Sequence, residues 1–263
     1  MSLPIHTVAL WRQTQRSNFT SWQKLASYLE LDEVSQSKII ECSHFPLNLP
    51  LRLAQKVEKN NINDPILRQF LPIVDELVEQ NGDMLDPVGD GLARKCGKLL
   101  HKYKGRALLV TTSACAMHCR YCFRRNFPYE REDKSFINEL SLIKDDTTIS
   151  EILLSGGDPL SLSNETLSDL LLQLSRIDHI KKIRFHTRFP IGIPERIDDA
   201  LLDILASLPK QVIFVIHVNH PKEIDSDVAM SLKKIMRLGI PILNQSVLLR
   251  GVNDSKEVMK DLF

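Results

Sequence analysis

From residue 106 onward, short apolar runs alternate with amphipathic stretches, and that alternation leaves few folds open. Runs at 107–111, 149–154, 183–186, 212–217 and 242–248 have the length and the Ile, Leu and Val content of strands. Between them, 165–177, 194–208 and 228–238 repeat apolar residues at helical intervals. Asn164 is placed to cap the first of these helices, and Gly239-Ile240-Pro241 closes the last. A strand followed by a helix and a further strand pairs in parallel through a right-handed crossover. The expected fold is therefore α/β, a partial (β/α) barrel over residues 105–263. In such a barrel the working residues lie at the C-terminal ends of the strands and on the loops that follow them.

Residues 1–104 carry a different period. Trp22, Leu25 and Leu29 recur helically, as do Ile66, Phe70, Ile73 and Leu77, with Pro65 at an opening position where its missing N–H does no harm. A helical N-terminal region is expected there. With 263 residues, 43% hydrophobic and 25% charged, the chain can bury a sizeable core. Its 34 Lys and Arg nearly balance 33 Asp and Glu, so no global field draws it to nucleic acid or an anionic membrane. Apolar runs such as 212–216 are too short to span a bilayer. The opening stretch from Met1 to His6 lacks the basic segment, apolar core and cleavage site of a secretion signal, so a reducing cytoplasm is expected.

The first predicted strand runs into Cys115, Cys119 and Cys122, with three and two residues between them. Thiolates at that spacing can hold three irons of a 4Fe-4S cluster and leave the fourth iron open to a small molecule. A zinc site completed by His118 or a distant side chain is an alternative, and a disulfide a weaker one. Packing alone would not explain three cysteines within eight residues. Cys42 and Cys96 stand apart and read as small buried hydrophobes or incidental thiols. The second predicted strand ends in Ser155-Gly156-Gly157-Asp158-Pro159. Its glycines allow backbone to approach a ligand closely, and Asp158 can accept a hydrogen bond from a cationic amine, although such text also makes ordinary turns.

Taken in order, the segments Leu100-His-Lys-Tyr-Lys-Gly-Arg106, Cys119-Arg-Tyr-Cys-Phe-Arg-Arg125, Leu154-Ser-Gly-Gly-Asp-Pro159, Val218-Asn-His-Pro221 and 244–254 resemble the lysine 2,3-aminomutases of the radical S-adenosylmethionine superfamily. Similarity is densest from His101 to Asp254, and greatest to members that supply β-lysine for modifying elongation factor P. The resemblance implies that Cys115, Cys119 and Cys122 ligate a 4Fe-4S cluster whose open iron is chelated by S-adenosylmethionine. Tyr121 would lie beside the adenine, and Ser155, Gly156, Gly157 and Asp158 would border the methionine amine. Pyridoxal 5'-phosphate would contact Tyr103 and Arg106, the latter at its phosphate. Arg124 would bind the lysine carboxylate and Asp254 its distant ammonium. The implied reaction moves the amino group of L-lysine from C2 to C3. The implied partners are L-lysine, a reducing electron donor and the elongation factor P pathway, with a homo-oligomer compatible with the sequence.

Other readings remain beside these. Arg124 and Arg125 could be solvated charges, Asp254 could belong to a helix cap, Tyr103 could simply pack, and His217 and His220 read as hydrogen-bonded mouth residues. The chain could also be a radical S-adenosylmethionine enzyme for another substrate, or a non-catalytic zinc-binding relative. One departure from the family is plain in the text. The chain ends at Phe263, while the family continues through another strand and the lysine that forms the Schiff base with pyridoxal phosphate; neither that lysine nor a second ammonium-binding acid has a match here. The sequence therefore reads as C-terminally truncated. The 263-residue chain is expected to bind a cluster, turn over lysine poorly or not at all, and expose the edge of its fifth strand.

Overall fold

The computed structural model describes residues 8–78, 81–129 and 135–263; the stretch from Met1 to His6 lies outside them. Seven strands form one sheet in sequential order: β1 (Arg94–Cys96), β2 (Leu99–Tyr103), β3 (Arg106–Thr112), β4 (Glu151–Gly156), β5 (Lys182–Thr187), β6 (Gln211–Ile216) and β7 (Ile242–Asn244). β1, β2 and β3 pair antiparallel, and β3 to β7 pair parallel. Each crossover thus steps to the adjacent strand in the same direction, which winds the sheet into an open half barrel. The α/β partial barrel expected from the alternation of runs is the fold observed.

Alternation within the strands separates the two faces of this sheet. Leu109, Ile152, Leu154, Ile183, Phe185 and Phe214 are buried toward the helices. Several intervening positions, among them Ser155, Arg184 and His186, are partly exposed on the other face. Helices Asn164–Ser175, Asp199–Ala206 and Ser226–Met236 cover the buried side. Each begins with a side chain that accepts an orphan backbone N–H: Ser163 from Thr166, Asp198 from Leu201 and Asp225 from Val228. Ser163, one residue before Asn164, is therefore the first cap. The helix expected over 194–208 opens as a 3-10 turn, Pro194–Arg196, and restarts at the Asp198 cap. An additional helix, Ile137–Asp145, fills the β3–β4 crossover, where no helical pattern had been read. β7 is shorter than the run 242–248 suggested and pairs only with β6.

The N-terminal region is less helical than its periodicity implied. Trp22–Leu29 is a helix as expected, capped by Ser21 and ended by Glu30 in the left-handed region at φ 58°. The second pattern instead gives two 3-10 turns, Leu67–Gln69 and Val74–Leu77. Pro72 lies between them; it lacks the donor an α-helix needs and holds Leu71 away from helical geometry. Ile66 and Phe70 are buried all the same, because turns can deliver apolar residues to a core as well as a helix can. Residues 94–103 add a hairpin to the sheet rather than a helix.

One continuous core joins the two regions, running from Trp11, Leu25, Leu49 and Phe70 to the residues beneath the helices. Trp11 meets Phe189 edge-on at 5.4 Å, so the first helix, Leu10–Gln15, packs on the segment after β5. At the centre, Phe185 and Phe214 stack across β5 and β6 with ring centroids 4.8 Å apart, both fully buried. Burying one such ring contributes roughly 1.5–3 kcal/mol, and emptying its site adds a cavity cost. Phe214→Ala is expected to lower the unfolding free energy by about 3–5 kcal/mol in urea denaturation; a loss under about 1 kcal/mol would mean that the stack is not part of a close-packed core.

Candidate functional site

The C-terminal ends of the parallel strands converge on the cysteine loop. After β3 the chain passes through Ser113 and Ala114 to Cys115, and both Ala116 and Met117 are buried in the core. These two apolar residues anchor the loop while the cysteines beside them remain only partly covered. The end of β4 fastens the loop from below. Gly157 N–H donates to Thr112 O at 2.6 Å and Asp158 N–H to Ala114 O at 2.8 Å. A Cβ on Gly156 would stand 2.7 Å from Thr112 O, and one on Gly157 would fall inside the Ala114 carbonyl. Gly156 also has φ 122°, a conformation that L side chains rarely adopt. The close approach expected of these glycines is thus realised against the cysteine loop itself.

Asp158 is buried and its carboxylate is fully engaged. It accepts from the Thr187 hydroxyl at 2.8 Å and from the backbone N–H groups of Leu160, Arg188 and Phe189 at 3.0, 2.8 and 3.1 Å. Burial nevertheless raises its pKa to about 6, against those donors. Its observed work is to lock the β4 and β5 loop ends together. Ser155 donates no such brace; its Oγ accepts from Arg124 at 2.9 Å.

The N-terminal region grips the same loop from outside. Asn18 Nδ2 donates to Ala116 O, Asn48 O accepts from His118 N–H, and Gln69 O accepts from Arg120 N–H, at 2.8, 3.0 and 2.8 Å. Arg120 is buried, forked onto Glu76 at 2.7 and 2.6 Å, and donates to Phe45 O at 2.6 Å. His118 stacks on Phe45 and shares a 2.8 Å hydrogen bond with Pro46 O, so its Nδ1 is committed to the N-terminal region.

Behind the loop lies a buried polar cluster that sequence reasoning had missed. Arg188, at the end of β5, sends Nη1 to Cys119 Sγ at 2.9 Å and to the Tyr121 hydroxyl, and Nη2 to Gln69 Oε1 and Glu223 Oε2, both at 2.7 Å. Asn219 Nδ2 also donates to the Tyr121 hydroxyl at 2.6 Å. The Tyr121 hydroxyl therefore points into this cluster. Arg188 could have been suspected from its place just after a strand; Gln69 and Glu223 carried no local signal.

Burial pushes the Cys115 thiol well above its ordinary pKa, with Asp158 and the other two cysteines adding to the effect, and pushes Cys122 up with Cys119 adding. Three soft sulfur donors thus share one sheltered place, where ionising them together calls for a cationic core. Among the described residues no group of three or more His, Cys, Asp or Glu side chains is arranged to hold a metal ion. Three thiolates on one loop are the donor set that a 4Fe-4S cubane takes, each on a different iron.

Arg124 is buried beside the loop, held by Asp90 at 2.8 Å as well as by Ser155. Asp90 also lies 3.7 Å from Lys102 and lines a pocket of about 80 Å³ with Lys102, Tyr103, Arg106, Leu108 and Leu153. Tyr103 and Arg106 are therefore brought together, and Asp90 connects their pocket to Arg124. Two cations beside an aromatic ring, with Asp90 among them, can accept an anionic group. Arg106 reaches Glu151 at 3.7 Å, and Glu151 is held by Arg184 at 2.5 Å. Asp254 sits apart in an exposed turn, where its carboxylate accepts from Gly251 N–H at 2.9 Å; Ser255 caps the helix Lys256–Leu262.

His186 and His217 face one another edge-on at 5.8 Å. Burial, then the neighbouring cations, lower His186 to about 4; burial, His186, Arg188 and Arg124 lower His217 to about 3. Both imidazoles are neutral at pH 7, and each has a buried Nε2 with no partner among the described residues.

A half barrel that carries three cysteines on the loop after its first parallel strand defines a class of cluster-binding protein, and comparison places the chain within it. Residues 109–262 match the model of the radical SAM superfamily. The chain is 41% identical over 221 residues to an L-lysine 2,3-aminomutase of Escherichia coli, covering 83% of this chain and 64% of that protein. It is 39% identical to the one from Haemophilus influenzae, covering 83% and 65%, and 35% identical over 268 residues to a putative L-lysine 2,3-aminomutase of Aquifex aeolicus, covering 97% and 71%. This chain belongs to the lysine 2,3-aminomutase family of the radical SAM superfamily. It spans about two thirds of the length of these relatives.

Gly157→Ala should part the cysteine loop from β4 and abolish iron uptake on anaerobic reconstitution, measured as iron per chain; full iron content in that variant would refute the loop contact. The two histidines have folded pKa values below their ordinary value, so they favour the native state above about pH 6.5 and that contribution is lost as pH falls toward 4. His217→Gln should therefore lose less thermal stability than the parent chain between pH 7 and pH 4.5, checked by melting temperature at both values.

Proposed function

We propose that this chain generates a substrate radical with a 4Fe-4S cluster and S-adenosylmethionine, and acts on L-lysine as a lysine 2,3-aminomutase with pyridoxal 5'-phosphate. The observation that carries this reading is the cysteine loop at the mouth of the half barrel, joined through Arg124 and Asp90 to a cationic pocket on the same sheet. Bound together, the cluster and its cosubstrate supply a hydrogen-abstracting carbon radical and pyridoxal phosphate supplies a π-system for the migrating nitrogen.

The chain's own residues have separable tasks in this scheme. Cys115, Cys119 and Cys122 hold the irons. Gly156 and Gly157 keep the loop pressed onto β4, so that the open iron has a fixed position. Arg124, oriented by Asp90 and Ser155, presents a planar cation to the lysine carboxylate, and a group fixed from two sides binds with little loss of side-chain freedom. Arg106 and Lys102 offer charge to a phosphate, with the Tyr103 ring beside it. Asp254 would take the distant ammonium only if its exposed turn closed toward the barrel. The neutral histidines leave the open face free of added positive charge. We assign the product, β-lysine, to the modification of elongation factor P, a reading supported by the motif resemblance over 100–254.

Anaerobic reconstitution followed by electron paramagnetic resonance, with and without S-adenosylmethionine, tests the first half. The reduced cluster should give a signal that the cosubstrate alters, because only an open iron can bind it; a colourless zinc-loaded protein would refute the proposal. The second half predicts release of 5'-deoxyadenosine that increases when L-lysine and pyridoxal phosphate are added, and increases at least tenfold less in Arg124→Met, a loss of about 1.4 kcal/mol or more. Release indifferent to lysine would point to a different substrate.

A further inference from the structure

We propose that Arg188 is a positioning residue that tunes the cluster, its guanidinium donating to the sulfur of Cys119 and raising the cluster's reduction potential. This inference rests on the cluster reading above and goes beyond it by assigning a control element that is not a ligand.

The geometry is specific. Arg188 is buried, and it places Nη1 2.9 Å from Cys119 Sγ. Its orientation is fixed by acceptors from three separate segments: Tyr121 in the cysteine loop, Gln69 in the N-terminal region and Glu223 after β6. Phe70 packs under the guanidinium plane at 4.8 Å. Glu223, fully buried, is itself pinned, because its other oxygen accepts from the Asn219 and His220 backbone N–H groups at 3.0 Å and from Gln69 at 3.1 Å. A purely structural ion pair would be complete with Glu223 alone. Here one nitrogen, Nη1, is directed to a cluster ligand, and the buried Nε has no partner among the described residues.

The physical consequence has a definite sign. Reduction adds an electron to the cluster and increases the negative charge on its sulfurs. A cationic N–H donor stabilises that form more than the oxidised one, and in a buried site the effect is weakly screened. Arg188 therefore makes the cluster easier to reduce, and Glu223, placed behind it, partly offsets the charge.

Redox titration of the reconstituted full chain, followed by the resonance signal of the reduced cluster, tests this without using turnover. Arg188→Gln should shift the midpoint to more negative potential, and Arg188→Lys, which keeps the charge but loses the fork, should shift it less. Glu223→Gln, which removes the opposing charge, should shift it in the positive direction. Loosened packing would not produce shifts of opposite sign. An unchanged or more positive midpoint in an iron-loaded Arg188→Gln overturns the proposal. If that variant fails to hold iron, Glu223→Gln decides: a positive shift supports the assignment, and no shift or a negative one overturns it. Absence of any cluster in the parent chain would overturn the cluster reading and this inference together, whereas a loaded parent with unshifted variants would sink only the latter.

Discussion

The rest of the site depends on two backbone hydrogen bonds, from the amides of Gly157 and Asp158 to the carbonyls of Thr112 and Ala114. They couple the loop after β3 to the loop after β4 at a separation that no side chain at 156 or 157 would permit. Parallel pairing of β3 and β4 brings the two loops to the same end of the sheet, but the ladder itself ends at Thr112 and Gly156. Beyond that point these contacts tie the cysteine loop to the sheet, while the N-terminal region and Arg188 hold it from the other side. A rigid scaffold with a loop so tied is how a three-ligand metal centre keeps one position available without a fourth side chain to define it.

Around this joint the molecule buries an unusual amount of charge. Asp158, Arg188 and Glu223 are nearly or wholly inaccessible, and each is held by several partners. Removing one member of such a set costs about 3–5 kcal/mol, because the remaining charge has no water to turn to. The arrangement is therefore a poor way to gain stability and a good way to fix geometry, since few alternative packings would satisfy all of these groups at once. It also explains why residues 8–78 share a core with the barrel: Gln69 supplies a hydrogen bond to Arg188 that no barrel strand provides.

Much of this was legible from residue order, and the failures have physical causes. The five parallel strands follow from short runs of strand length rich in Ile, Leu and Val, the composition that buried parallel strands favour. Two helix starts were read to within two residues, as with Ser163 in place of Asn164, since adjacent polar residues compete for the same orphan amides, whereas the helix expected from 194 begins only at Asp199. The hairpin of β1 and β2 was not seen: Arg94–Cys96 is too short to show a period, and its position is set by pairing with Leu99 and Leu100. Among the site residues, the cysteines and glycines announce themselves by spacing. Asp90, Gln69 and Glu223 do not, because their importance comes from what tertiary packing brings beside them, and a single acid or amide in a polar stretch has no local signature.

The open face of the sheet suggests how such a site manages anions. Arg106, Arg124 and Arg184 stand along it with Lys102 nearby, opposed by Asp90 and Glu151. Each acid holds two cations at once, which keeps the guanidinium groups in place without neutralising all of them. An incoming carboxylate or phosphate therefore meets donors that are already oriented, and the entropy of fixing long side chains has been met by folding. Protonated His186 and His217 would add two more charges to this face and repel Arg124 and Arg188. Burial keeps them neutral at pH 7, so the surplus of positive charge stays limited to residues whose geometry the acids control.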